Sequence, residues 1–180
     1  KPLDEVKVVF CGDTRNNMAY AWMYGCAKMG MHFVGWGPKE LSPAEDVIAY
    51  CNEVAKDTGA VLEFGEDLAL LKGADVIYTD IWVSMGEEAK LAERVKQLAP
   101  YKVTSKVMAA TENPKCLFMH CLPAYHDFET LTAQHCKEEG YDIREVDDDV
   151  FRSKQSVVFD EAENRMHTIK AVMVATLGNQ

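Results

Sequence analysis

Short apolar runs alternate with longer segments of helical period along most of the chain. Val6 to Cys11 (V-K-V-V-F-C), His32 to Trp36, Val61 to Phe64, Ala74 to Thr79 and Cys116 to Cys121 (C-L-F-M-H-C) are brief and rich in β-branched or aromatic residues. Each reads as a strand buried in a parallel sheet. Between them, Asn16 to Met29 repeats apolar residues at helical spacing and closes on Gly30. Pro43 to Thr58 predicts a second helix, with Ser42 as its N-cap and Glu45 and Asp46 in its first turn. Glu66 to Lys72 predicts a short helix closed by Gly73, and Glu87 to Leu98 a solvated one that Pro100 interrupts. Further helical segments are expected at Thr104 to Ala110, at Glu129 to Glu139 and in a short turn opened by Asp147-Asp148-Asp149. Asp160 to Leu177 places Ala162, Met166, Ile169, Met173 and Leu177 on one face, which predicts an amphipathic helix packed on the sheet. Strands and helices in this rhythm predict an α/β fold. The expected architecture is a three-layer sandwich, a central parallel sheet of about five strands with helices on both faces, in a single domain over residues 1–180.

Composition narrows the class. Hydrophobic residues make up 48% of the 180 and charged residues 27%, as in a soluble globular domain. The net charge of −10 disfavours nucleic acid and anionic membrane as partners. No apolar run approaches the roughly 20 residues a membrane span requires. The chain starts at Lys1 without a Met and reads as a fragment or processed form. Six cysteines are spread along it with no C-x-x-C pair, which reads as reduced, mostly buried thiols in a cytoplasmic protein. His120-Cys121, His126 and His135-Cys136 match no structural zinc spacing, so a metal is disfavoured.

Candidate chemistry sits where a parallel sheet exposes it, just past the carboxyl ends of the strands. Asp80 follows the fourth strand and leads into Ser84-Met85-Gly86. An acid beside a nest of backbone amides suits an α-amino acid; the alternative is a helix cap and a turn. Gly12-Asp13-Thr14-Arg15-Asn16-Asn17 follows the first strand and lacks the G-x-G-x-x-G of a dinucleotide site. One of its two asparagines suffices as a helix N-cap, which leaves the other for the cleft. His120-Cys121-Leu122-Pro123 follows the fifth strand and offers a thiol at a strand end and an X-Pro bond able to be cis. Arg165, early in the last helix, carries a planar fork suited to phosphate or carbonyl oxygens, or pairs with Glu161 one turn back.

The strings G-D-T-R-N-N, D-I-W-V-S-M-G, H-C-L-P-A and V-F-D-E-A-E-N-R-M-H resemble those of ornithine carbamoyltransferase, in its C-terminal, ornithine-binding domain. The resemblance implies that Asn17, Asp80, Ser84 and Met85 hold L-ornithine. It implies that Cys121 and Leu122 lie beside the δ-amine and carbamoyl group, and that Arg165 contacts carbamoyl phosphate. Cys121, Asp80 and Arg165 are then the catalytic candidates. It further implies a Rossmann-like parallel sheet, citrulline and phosphate as products, no metal or organic cofactor, and a homotrimeric enzyme. The family's S-x-R-T and H-P-x-Q phosphate motifs do not occur in these 180 residues. The expectation is therefore an acceptor-binding half, inactive alone, with the N-terminal carbamoyl-phosphate-binding domain absent. Two rival readings share the fold: an amino-acid sensor, which has no use for Cys121 and Arg165, and a nicotinamide-dependent oxidoreductase, weakened by the missing glycine fingerprint.

Overall fold

Five strands of four or five residues, too short to stand alone, pair side by side in a single parallel sheet. They are β1 (Lys7–Cys11), β2 (His32–Trp36), β3 (Val61–Gly65), β4 (Val76–Thr79) and β5 (Leu117–His120), in the order β3-β2-β1-β4-β5. The computed structural model describes residues 1–83, 86 and 88–178. Alternate residues of each strand enter opposite faces, so the sheet separates two cores. Val8, Phe10, Phe33, Val76 and Tyr78 pack under α1 (Asn17–Met29) and α2 (Glu45–Thr58). Val9, Cys11, Val34, Ile77 and Phe118 face the other way, toward α4 (Ser105–Ala110) and α6 (Asp148–Phe151). A small third cluster joins α5 (Leu131–Glu138), through Ala133 and Cys136, to Leu91 and Val95 of α3 (Leu91–Leu98). The expected α/β sandwich is the observed one.

Several local expectations need correction. The segment predicted as a helix over 66–72 is a single 3₁₀ turn, Leu68–Leu71, started by Asp67, whose carboxylate accepts from the Ala69 amide. α2 begins at Glu45 with Ala44 as N-cap and no side-chain cap. Ser42 instead ends the 3₁₀ turn Lys39–Leu41, and its carbonyl accepts from Arg15 Nε. The segment from Glu87 opens, among the described residues, as a 3₁₀ turn (Glu88–Lys90) before α3; Glu87 itself lies outside them.

The largest correction concerns α7 (Val158–Leu177). Only its first turn is seated on the sheet: Val158 is buried, and the preceding Val157 amide donates to the Phe118 carbonyl. Met166, Ile169, Met173 and Leu177, expected to cover the sheet, are exposed, as are Phe159, Val172 and Val174. Length explains part of this. Twenty helical residues reach about 30 Å, whereas β5 extends about 13 Å, so the helix runs off the layer it starts on.

The chain winds outward from β1 through β2 to β3, then returns to add β4 on the other side of β1. The loops after β1 and β4 therefore leave the sheet in opposite directions and open a crevice between them, where ligands of such sheets bind.

Candidate active site

Three loops meet at that crevice. The one after β1 carries Asn16, which has two tasks. Its Oδ1 accepts from the Ala19 amide (2.8 Å) and caps α1, while its Nδ2 donates to Asp80 Oδ2 (3.0 Å). Asn17 is the first residue of α1 and is exposed. The asparagine bonded to Asp80 is thus the capping one, and Asn17 remains available on the open side.

Asp80 follows β4 directly. Its Oδ1 accepts from its own neighbour, the Ile81 amide (2.8 Å), and from the Cys121 thiol (3.2 Å). Among the described residues three groups donate to Asp80, and a carboxylate with about four lone-pair directions can accept a further, cationic donor. Cys121 stands at the end of β5 and is the single half-exposed thiol of six; the other five are buried. Burial first, and then the negative charge of Asp80, push its pKa up to about 12. At neutral pH it is a thiol that donates to Asp80, and it is neither a thiolate nucleophile nor a base.

The end of β5 is held from beneath by two acids, one half-buried and one fully buried. Glu161, in the first turn of α7, accepts from the His120 amide (3.1 Å) and from the Tyr78 hydroxyl (3.0 Å). Burial raises the Glu161 carboxyl and, together with the neighbouring Cys121 and Glu161, moves the Tyr78 phenol well above its ordinary range. Glu145 is fully buried and meets His120 Nε2 at 2.9 Å and the Tyr125 amide at 2.6 Å. Burial raises its pKa against the pull of His120. These contacts grip the Cys121–Ala124 loop at both ends, and the Leu122–Pro123 bond within it is cis.

Arg165 stands apart. It is exposed on the second turn of α7, and among the described residues its guanidinium makes no hydrogen bond or ion pair. Glu161, its expected partner, is turned to the sheet instead. The first turn of α7 is filled by Asp160 and Glu161, so it is no open anion site. Ser84 and Met85 lie outside the described residues.

Two side-chain groups have metal-ligating composition. Asp80, His120 and Cys121 bring ligand atoms within 4.8 Å of one another; Cys121 donates to Asp80 and His120 Nε2 meets Glu145, while His120 Nδ1 has no partner among the described residues. His126, Asp127 and Asp148 also converge. Arg152 binds both of those carboxylates (2.8 and 3.3 Å) and supplies the cation itself.

The crevice, with an acid able to accept a further donor and an amide and a thiol beside it, fits recognition of an amine better than a coenzyme. The sequence profile described as "Aspartate/ornithine carbamoyltransferase, Asp/Orn binding domain" matches residues 4–176. The chain belongs to this family. Within the carbamoyltransferases, it is 63% identical to the "Ornithine carbamoyltransferase, catabolic" of Clostridium perfringens (strain 13 / Type A), over 99% of this chain and 55% of that protein. It is 50% identical to "Ornithine carbamoyltransferase 1, catabolic" of Staphylococcus epidermidis, over 99% of this chain and 54% of that protein. Among solved structures, the ornithine carbamoyltransferase from Pyrococcus furiosus superposes with TM-score 0.80 at 38% identity, covering 98% of this chain and 51% of its own. The anabolic enzyme from Campylobacter jejuni gives 0.82 at 31%, covering 98% and 53%. The chain therefore spans about half the length of the carbamoyltransferases it matches.

Sequence reasoning placed Asp80 and Cys121 in the crevice, and the fold brings them into contact. It missed Glu145, Tyr78 and Glu161 as supports. Glu145 lies 25 residues from His120, and no local pattern pairs them. The apolar pair Ile143 and Val146, which brackets Arg144 and Glu145, was the available signal.

Proposed function

We propose that this chain is the acceptor-binding part of an ornithine carbamoyltransferase. The observation that carries the reading is Asp80 at the switch point, bonded to Asn16 and Cys121 and able to accept an ammonium group. The names of the matched relatives point to ornithine as the amine.

In the proposed reaction the δ-amine of L-ornithine, having shed its proton, attacks the carbamoyl carbon of carbamoyl phosphate. The C–N bond forms, the bond from carbon to the bridging oxygen breaks, and one proton of the attacking amine passes to the departing phosphate, which leaves citrulline and hydrogen phosphate as products. Asp80 and the Cys121 thiol orient the amine, the Leu122 carbonyl lies beside the carbamoyl group, and Asn17, Ser84 and Met85 hold the amino-acid end. Arg165 contributes to carbamoyl phosphate from α7. No metal or organic cofactor has a part in this scheme. The phosphate-binding motifs belong to polypeptide beyond these residues, so the isolated chain is expected to bind acceptor without turning over. The exposed apolar side of α7 suits packing against that remaining part of the enzyme, in a cytoplasmic homotrimer. Among the described residues no helix is long and apolar enough to cross a membrane.

Calorimetric titration with L-ornithine tests this, with L-aspartate and putrescine as controls. Saturable binding of ornithine alone is expected. Asp80→Ala removes a charge-assisted contact of about 1.5–3 kcal/mol, so Kd rises roughly 10- to 150-fold. A folded chain that binds no ornithine, or prefers L-aspartate, would refute the preformed acceptor site.

A further inference from the structure

Glu161 joins the ends of two neighbouring strands. The ladder between β4 and β5 stops at the pair Thr79–His120. Asp80 and Cys121 are the next residues beyond it and meet through their side chains, Cys121 Sγ donating to Asp80 Oδ1 (3.2 Å). A thiol is a weak donor, so that bond needs strand ends that are held by stronger contacts. Glu161 supplies them from α7. Its Oε1 accepts from the Tyr78 hydroxyl (3.0 Å), two residues before Asp80, and its Oε2 from the His120 amide (3.1 Å), one residue before Cys121. On the outer edge of β5 the Phe118 amide donates to the Gln155 carbonyl, and the Phe118 carbonyl accepts from the Val157 amide. His120 carries the next amide on that edge, so the carboxylate stands where a neighbouring strand would.

Tyr78 is itself held by the core. Its fully buried ring stacks on Phe10 (centroids 5.7 Å apart) and meets Trp22 edge-on (5.2 Å), which fixes where the hydroxyl lies. That hydroxyl also borders the Cys121 thiol. We infer that Glu161 and Tyr78 are positioning residues for acceptor recognition. The core fixes Tyr78, Tyr78 fixes Glu161, and Glu161 fixes the backbone from which Cys121 reaches Asp80. This rests on the ornithine reading of Asp80. Both bonds to Glu161 end on a carboxylate, the stronger kind of hydrogen bond. Held in this way, Asp80 and Cys121 are preorganised for the amine, and ornithine spends less binding energy on bringing them together. In Glu161→Gln one carbonyl oxygen serves two strand ends in place of two oxygens. In Tyr78→Phe the ring keeps its packing and loses its bond to Glu161.

The test combines L-ornithine affinity by calorimetry with the infrared S–H band of Cys121 in the ligand-free chain. The band is isolated for each variant by subtracting the spectrum of its Cys121→Ala counterpart, and circular dichroism confirms folding. Glu161→Gln and Tyr78→Phe are each expected to weaken ornithine binding about 10-fold. Each is also expected to move the S–H band toward that of a free thiol, because Cys121 no longer aims steadily at Asp80. Val158→Ala is the control, since it loosens the seat of α7 and leaves Glu161 in place. Its Tm is expected to fall while its band stays at the wild-type position and its ornithine Kd within about 2-fold of wild type. A wild-type band or unchanged ornithine affinity in either folded variant would overturn the inference. So would a Val158→Ala band shifted as far as that of Glu161→Gln, because loosening α7 would then explain both. If the wild-type chain binds no ornithine, the acceptor reading falls, and the band still decides the positioning: shifted in Glu161→Gln and Tyr78→Phe it supports the role, unshifted it overturns it.

Discussion

Replacing Glu145 isolates what the buried pair beneath the site contributes. Its side chain has no solvent exposure; Oε1 takes both the Tyr125 amide and His120 Nε2, and among the described residues Oε2 and His120 Nδ1 have no partner. Glu145→Ala strands two buried donors at about 1–3 kcal/mol each and relieves the unpartnered Oε2, for a net loss of about 2–4 kcal/mol. Glu145→Gln keeps a carbonyl acceptor for the Tyr125 amide and weakens the contact with His120, which lowers stability by about 1–2 kcal/mol. Against a total of roughly 5–15 kcal/mol for a domain of this kind, the difference between the variants is easily resolved. Urea unfolding followed by circular dichroism gives both values, provided the denaturant slope is unchanged. The same change frees the Cys121–Ala124 loop at its Tyr125 end, so Cys121 should react faster with a thiol-exchange reagent in the alanine variant while the buried thiols stay protected. Alanine within about 0.5 kcal/mol of wild type would refute the reasoning, as would glutamine as damaging as alanine.

Two further outcomes follow from the same structure. Burial pushes Cys26 and Cys121 up to about 12 and Cys116 up to about 11, from 9.0 for an unburied thiol. Their contribution is complete below pH 9 and declines as pH rises toward the folded-state values, so Tm is expected to be level to about pH 9 and to fall above it; a level Tm to about pH 11 would refute this. Gly37 is required by close approach: a Cβ there would stand 2.0 Å from the Gly12 carbonyl oxygen. Gly37→Ala is expected to destabilise by about 3 kcal/mol, read as a Tm lower by roughly 6–12 °C, and a drop under about 2 °C would contradict the packing.

The order of strands and helices was legible because buried strands must be short and apolar while helices carry their own period. Those constraints act within a few residues of one another. Asp80 and Cys121 were legible for a related reason: each follows an apolar run at the residue where a parallel strand reaches the crevice. The apolar face of α7 was legible too, but its surroundings were not. A period reports that one side of a helix avoids water, and says nothing of which surface covers it. Here the helix outruns the sheet and leaves Ile169 and Met173 uncovered.

By itself, then, the sequence determined the α/β alternation, the apolar stripe of each element and the chemical types at the strand ends. Only the tertiary structure decided that Asn16 and not Asn17 meets Asp80, that Glu145 closes on His120, that Glu161 turns to Tyr78 away from Arg165, and that Arg94 reaches Asp13. The physical reason is one of range. Apolar burial follows spacings along the chain, whereas a hydrogen bond between residues 25 to 83 positions apart depends on strand order and crossover geometry, which bring those groups within 3.0 Å.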